Sequence, residues 1–252
     1  MKKFDIIIKQ VPLFLEWYES RYDREKGVYY GGVALPKYTD ELCIDIYDDY
    51  LFNFKKDDFE KTGRHVLDIG GSSRAMRELG KFFVNFAMHK CNKDNVFEVV
   101  ENIGHSPNNY DVRMFFYRTN IVKRMLSYVS GKKRKVFSDV KCIQKTPYVQ
   151  KGTIALELAS YKEGKDRETG IIYGGICDPK HLNELVVDVV ENDEKNRFDV
   201  CFAGTKRAVK SFGEHLINFS LYMSTCDGYH IHHDGIRGYN YRKNVNIIVR
   251  KS

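Results

Sequence analysis

With 252 residues, 42% of them hydrophobic and 13% aromatic, the chain has enough apolar surface for one or two cores, which excludes a disulfide-stapled miniprotein and a disordered tail. The formal charge of +7 (41 Lys and Arg against 34 Asp and Glu) admits an anionic partner, but the whole excess lies between Thr119 and Lys145, where there are eight basic residues and one acid, Asp139. The six cysteines form no C-x-x-C pair, the apolar run after Met-Lys-Lys stops at Ile6, Ile7 and Ile8, and no stretch approaches a bilayer span, so a cytoplasmic protein without membrane contact is expected.

The chain contains one pattern twice. From Val11 to Tyr47, a shift of 143 positions aligns it with itself without a gap and gives 15 identities in 37 positions, among them Asp23-Arg24-Glu25 with Asp166-Arg167-Glu168 and Gly31-Gly32 with Gly174-Gly175. From Arg64 to Arg118 the shift is 133, with 10 identities in 55, including Arg74/Arg207, Gly80/Gly213 and Asn85/Asn218. The first copy therefore carries ten extra residues around Asp48 to Lys61. This arithmetic predicts a tandem duplication, with a first repeat at 1–118 (extra loop 48–61), a basic connector at 119–145 and a second repeat at 146–252.

In chain order, each repeat begins with a strand in which Leu13, Leu15 and Trp17, or Leu156 and Leu158, alternate with polar or small residues. An Asp-Arg-Glu-x-Gly turn follows, with Gly27 and Gly170 free to take positive φ, and then a second strand through Tyr30 or Tyr173. Leu42, Ile44 and Ile46 (Leu185, Val187 and Val189) predict a third strand, and His65, Leu67 and Ile69 (Phe198, Val200 and Phe202) a fourth. Ser72 and Thr205 are suited to cap a helix whose apolar stripe runs through Ala75, Met76, Leu79, Phe83 and Phe86, or Ala208, Val209, Phe212, Leu216 and Phe219. Gly80 and Gly213 lie on that stripe, where a missing side chain would let the helix approach a sheet closely. Strands at 96–101 and 111–117, matched by 229–234 and 244–250, close the unit. The expected fold class is α+β, each repeat a ββββαββ antiparallel sheet of about six strands with one helix packed on it, and the two repeats related by a pseudo-two-fold like a fused homodimer.

Three stretches admit chemistry. On a strand, His230, His232 and Asp234 would share a face, and two imidazoles with a carboxylate can bind zinc, giving a metal-dependent enzyme as one alternative. The aligned first-copy residues are Phe97, Val99 and Glu101, so the scaffold does not need these ligands. Structural or partner-contacting histidines are the competing reading, and no cofactor is expected. Lys132, Lys133, Arg134 and Lys135 can bind phosphates, which gives a nucleic-acid-binding or anti-defence protein as another alternative, or they form a solvated linker. The helix starts Gly70-Gly71-Ser72-Ser73-Arg74 and Ala203-Gly204-Thr205-Lys206-Arg207 could hold a phosphate, yet neither has P-loop or G-x-G-x-x-G spacing, and capping accounts for both.

The segment from Phe198 through Gly213, Leu216 and Phe219, then Tyr229-His230-Ile231-His232-His233-Asp234 and the last strand Val245–Arg250, resembles the small α/β immunity proteins of bacterial polymorphic-toxin systems. The resemblance covers about 55 residues. It implies a non-enzymatic protein that neutralises a cognate toxin by direct binding, in keeping with the lack of a complete catalytic set. The chain departs from that group in being duplicated and in not being acidic overall. An acidic, aromatic stretch, Asp48, Asp49, Tyr50, Phe52 and Phe54, exists only in the first copy, and His230, His232, His233 and Asp234 only in the second. Features that repetition of the scaffold does not explain are the expected partner contacts, with the aromatics as anchors.

Overall fold

The computed structural model describes residues 5–19, 21–25, 28–89, 96–100, 103, 110–118, 149–192, 196–224, 229–236 and 245–251. In chain order its elements are β1 (Ile6–Tyr18), β2 (Arg21–Asp23), β3 (Val28–Tyr30), β4 (Leu42–Asn53), β5 (Asp58–Gly71), α1 (Ser73–Met88), β6 (Val96–Val100), β7 (Asp111–Arg118), β8 (Val149–Lys165), β9 (Ile172–Ile176), β10 (Leu185–Asn192), β11 (Arg197–Gly204), α2 (Lys206–Leu221), β12 (His230–Ile236) and β13 (Val245–Lys251). The class is α+β. No helix among the described residues is long and apolar enough to cross a membrane.

Alternation along β1 and β8 decides their inward face. Leu13, Leu15, Leu156 and Leu158 are buried against Val84 of α1 and Ile217 of α2, while Ile6, Ile8 and Phe14 stay exposed. The two strands pair antiparallel from Ile6↔Tyr161 to Tyr18↔Val149, and β9 joins the far side of β8. Two side-chain amides fasten the helices beneath this sheet: Asn85 Nδ2 donates to the Glu16 carbonyl, and Asn218 Nδ2 donates to the Ala159 carbonyl at 2.7 Å.

The helices cross each other at their glycines. A Cβ on Gly80 would stand 2.7 Å from the Gly213 carbonyl oxygen, and one on Gly213 would stand 2.7 Å from the Gly80 carbonyl oxygen. The approach predicted between helix and sheet is in fact one between helix and helix, which the sequence pattern does not distinguish because both require the same bare face. Seven phenylalanines around this crossing (Phe82, Phe83, Phe86, Phe116, Phe202, Phe212 and Phe219) are at most 1% exposed, and each contributes about 1.5–3 kcal/mol of burial. Phe83 touches Phe116 of β7, Phe202 of β11 and Phe212 of α2, so one ring joins three elements.

Two four-stranded sheets complete the core, in the orders β4-β5-β13-β12 and β10-β11-β7-β6. The outer pairs are antiparallel; the central pairs, β5 with β13 and β11 with β7, are parallel. This corrects the expectation that each half closes its own antiparallel sheet. Alternation in β7 and β13 specifies which face turns inward but not which neighbour supplies the ladder. Each sheet thus takes two strands from residues 42–118 and two from 185–251.

Candidate functional site

The β4–β5 hairpin outgrows its sheet. β13 supports β5 only from His65 to Gly71, and beyond that the ladder continues with two strands, through Tyr50↔Lys61, Leu51↔Glu60, Phe52↔Phe59 and Asn53↔Asp58. The β10–β11 hairpin has no such extension and ends at Asn192↔Arg197. Residues 48–61, expected as a longer hairpin or loop, form a projecting β-arm. Its tip is built on Asn53, whose carbonyl accepts from the amides of Lys56 (3.1 Å) and Asp57 (2.9 Å) and whose side-chain oxygen accepts from the Lys55 amide (3.0 Å). Asp57 closes the turn at φ 53°, a conformation Asp tolerates.

Three acids of the arm, Asp48, Asp49 and Glu60, are engaged by neighbouring side chains. Lys61 pairs with Asp48 at 2.5 Å, Thr62 Oγ1 donates to Asp49 at 2.9 Å, and Lys56 and Asn53 both reach Glu60. The aromatic rings remain outward. Phe52 makes edge contacts with Phe54 (5.1 Å) and Phe59 (5.2 Å), while Phe54 is 88% exposed, Phe59 63% and the neighbouring Leu51 60%. Tyr50 lies on the face of Phe52 and Phe59, under the Lys61 ammonium at 5.9 Å. The sequence singled out Tyr50, Phe52 and Phe54 but missed Phe59 and Leu51. The cross-strand register supplies the signal, since Phe52 and Phe59 stand at mirror positions about the tip.

At the opposite edge of the same sheet, His230 and His232 of β12 face outward with rings 4.8 Å apart. Their ladder partners are Arg250 and Ile248 of β13, which lie in turn beside Gly70 and Asp68 of β5. Arg250 Nε lies 2.9 Å from Asp68 Oδ1; burial pushes the Asp68 carboxyl upward and Arg250 pulls against that shift. Asp45, opposite Asp68, accepts from the Tyr110 hydroxyl at 2.8 Å. The Asp234 side chain lies outside the described residues, and among those described no group of three or more His, Cys, Asp or Glu could hold a metal ion. Lys132, Lys133, Arg134 and Lys135 also lie outside the described residues.

His233 corrects one expectation. It faces the interior, 4% exposed, and its Nε2 lies 3.0 Å from Nε2 of His215 on α2, itself 3% exposed. A residue so placed cannot contact a partner on the folded surface. His215 went unnoticed because a single histidine on an apolar helix stripe carries no pattern; the copy alignment holds the signal, since His215 and His233 stand where the first half has Phe82 and Val100.

The helix starts hold an anion supplied by the chain. Ser72 accepts from the Ala75 amide and donates to Glu41, which Arg74 also binds; Thr205, Glu184 and Arg207 repeat the arrangement, with Thr205 Oγ1 2.6 Å and Arg207 Nε 2.7 Å from Glu184. Hydrogen bonds from Arg207 and Thr205 bring the Glu184 carboxyl down to about 2. Glu41 and Glu184 occupy the place a phosphate would take, so the caps are structural.

No family model, no curated protein and no solved structure matches this chain. The functional reading rests on its own geometry.

Proposed function

We propose that this chain is a non-enzymatic binding protein of the immunity type, which neutralises a bacterial toxin by covering part of its surface. The observation that carries the reading is the aromatic cluster Phe52, Phe54 and Phe59, exposed to solvent on an ordered arm for which the other hairpin has no counterpart. Exposed contiguous apolar groups with a polar surround mark interaction surfaces, and rigid aromatic anchors are the residues that most often dominate binding. The paired acids fix the arm in shape and keep it soluble, so that ordering costs little on association.

The scaffold beneath is, in this proposal, a tandem duplication that behaves as a fused dimer with exchanged strands. Support comes from equivalent details in the two halves. Tyr38 and His181 share a left-handed φ of 57° and 60°, the two glycines meet reciprocally at the helix crossing, and the β1–β8 ladder is centred on Pro12↔Ala155, positions 143 apart. Such a scaffold needs neither the arm nor the outward histidines, and recognition is the role assigned to them here.

The test is protection in cells. The toxin domain encoded beside this gene, expressed alone, should stop growth, and co-expression of this chain should restore it through a complex that co-purifies. Growth arrest that persists with the soluble chain present, or restoration without a complex, contradicts the reading.

A further inference from the structure

We infer that His215 and His233 form an acid-sensitive latch holding the edge strand β12 on helix α2. His215 Nδ1 lies 3.1 Å from the Cys177 carbonyl oxygen. A carbonyl can only accept, so Nδ1 carries the proton, and Nε2 of neutral His215 is a lone pair. That lone pair accepts the Nε2–H of His233, 3.0 Å away, which assigns the tautomer of both rings. One hydrogen-bonded chain thus runs from the end of β9 through α2 to β12.

Among the described residues, only the Cys177 carbonyl favours a positive charge on His215. Burial opposes that charge first and His233 second, and the Cys177 carbonyl favours it; together they bring His215 down to about 3. Phe212 of α2 covers the His233 ring, and Ile247 of β13 is its ladder partner. Among the described residues, neighbouring charged groups are engaged elsewhere: Lys210 and Glu214 on α2 pair with each other, His230 and His232 point to the other face of β12, and Asp178 and Lys180 act in opposite senses on the Cys177 thiol. A first proton on His233 Nδ1 leaves the bridge in place; once His215 Nε2 is protonated as well, His233 loses its acceptor and an N–H stands against an N–H. Moving β12 off α2 relieves this by letting water reach the imidazole. The ladder is already irregular between His233 and Ile236, so the strand has a natural point at which to yield.

The first half packs the aligned positions with Phe82 and Val100, 1% and 3% exposed, so the fold does not require histidines there. The pair is an addition to a scaffold that works without it. This comparison also supplies the control, His215→Phe with His233→Val, which copies the chain's own solution.

The experiment is hydrogen exchange with mass spectrometry on the full chain from pH 7 to pH 5, with protection corrected for intrinsic exchange and β12 compared with β6. With an opened-state value near the ordinary 6.5, one titrating histidine lowers β12 protection by roughly 25-fold over that range. The wild type should show this loss in β12 and not in β6, and the double variant should show it in neither. Equal behaviour of β12 and β6 in the wild type overturns the latch, and so does a pH dependence that survives in the variant. If the variant does not fold, the wild-type ratio of β12 to β6 still decides.

Discussion

Replacing Gly80 by Ala tests the helix crossing, because two opposing effects give opposite signs. In an exposed helix the change is favourable by about 1 kcal/mol, as alanine is the better helix former. Here the new methyl would meet the Gly213 carbonyl oxygen at 2.7 Å, the Ile217 amide nitrogen at 2.9 Å and Ile217 Cγ1 at 2.8 Å. Two of these atoms are backbone and cannot rotate away, so relief requires roughly 0.7 Å of helix separation to reach an ordinary 3.4 Å contact. Inserting a methyl into a packed core costs about 1–3 kcal/mol, and with backbone opposing it the upper end applies. The net expectation is a loss of about 2 kcal/mol, or about 4–8 °C in Tm for a chain of this size. Urea titration followed by circular dichroism measures it. Gly80→Ala with Gly213→Ala should cost less than the sum of the singles, since one displacement relieves both clashes. A Gly80→Ala protein more stable than wild type by about 1 kcal/mol would refute the close crossing.

Thr205→Ala removes the α2 cap and should cost about 1 kcal/mol in the same assay. Glu184 sits at about 2 in the folded state against 4.5 otherwise, so its contribution is present above pH 4.5 and is lost as pH falls towards 2. Glu184→Gln should therefore flatten that part of the acid limb, by about 1 kcal/mol once solvent screening by the exposed Arg207 is allowed for, and an unchanged acid limb would contradict the pairing. Because both sheets draw strands from both halves, calorimetry should show a single transition with equal calorimetric and van't Hoff enthalpies; two resolved transitions would contradict the shared core.

Alternation told which residues of β1, β4, β5, β8, β10 and β11 turn inward, and the caps Ser72 and Thr205 fixed where the helices begin. What alternation could not tell was the neighbour: β7 presents the same inward pattern whether it lies beside β5 or β11, so the parallel pairing of β7 with β11 and of β13 with β5 was not legible. The same limit hid the role of Gly80 and Gly213, since a bare helix face does not name what it meets. For the site, comparing the copies isolated the stretch 48–61, but composition overstated its acidity; only the register reveals that Asp48 and Glu60 are paired within the arm while Phe52, Phe54 and Phe59 remain outward. His233 was grouped with His230, His232 and Asp234 as a partner contact, whereas strand alternation turns neighbouring residues to opposite faces.

Phe52→Ser, Phe54→Ser and Phe59→Ser together should leave folding intact, because the three rings touch each other and solvent, and surface changes of this kind are usually within about 0.5 kcal/mol each. Titration calorimetry of this folded variant against the proposed toxin partner should show affinity weakened by at least about 2 kcal/mol, roughly thirtyfold, relative to the wild type. Unchanged affinity in the folded triple variant would contradict the claim that the arm is the binding surface.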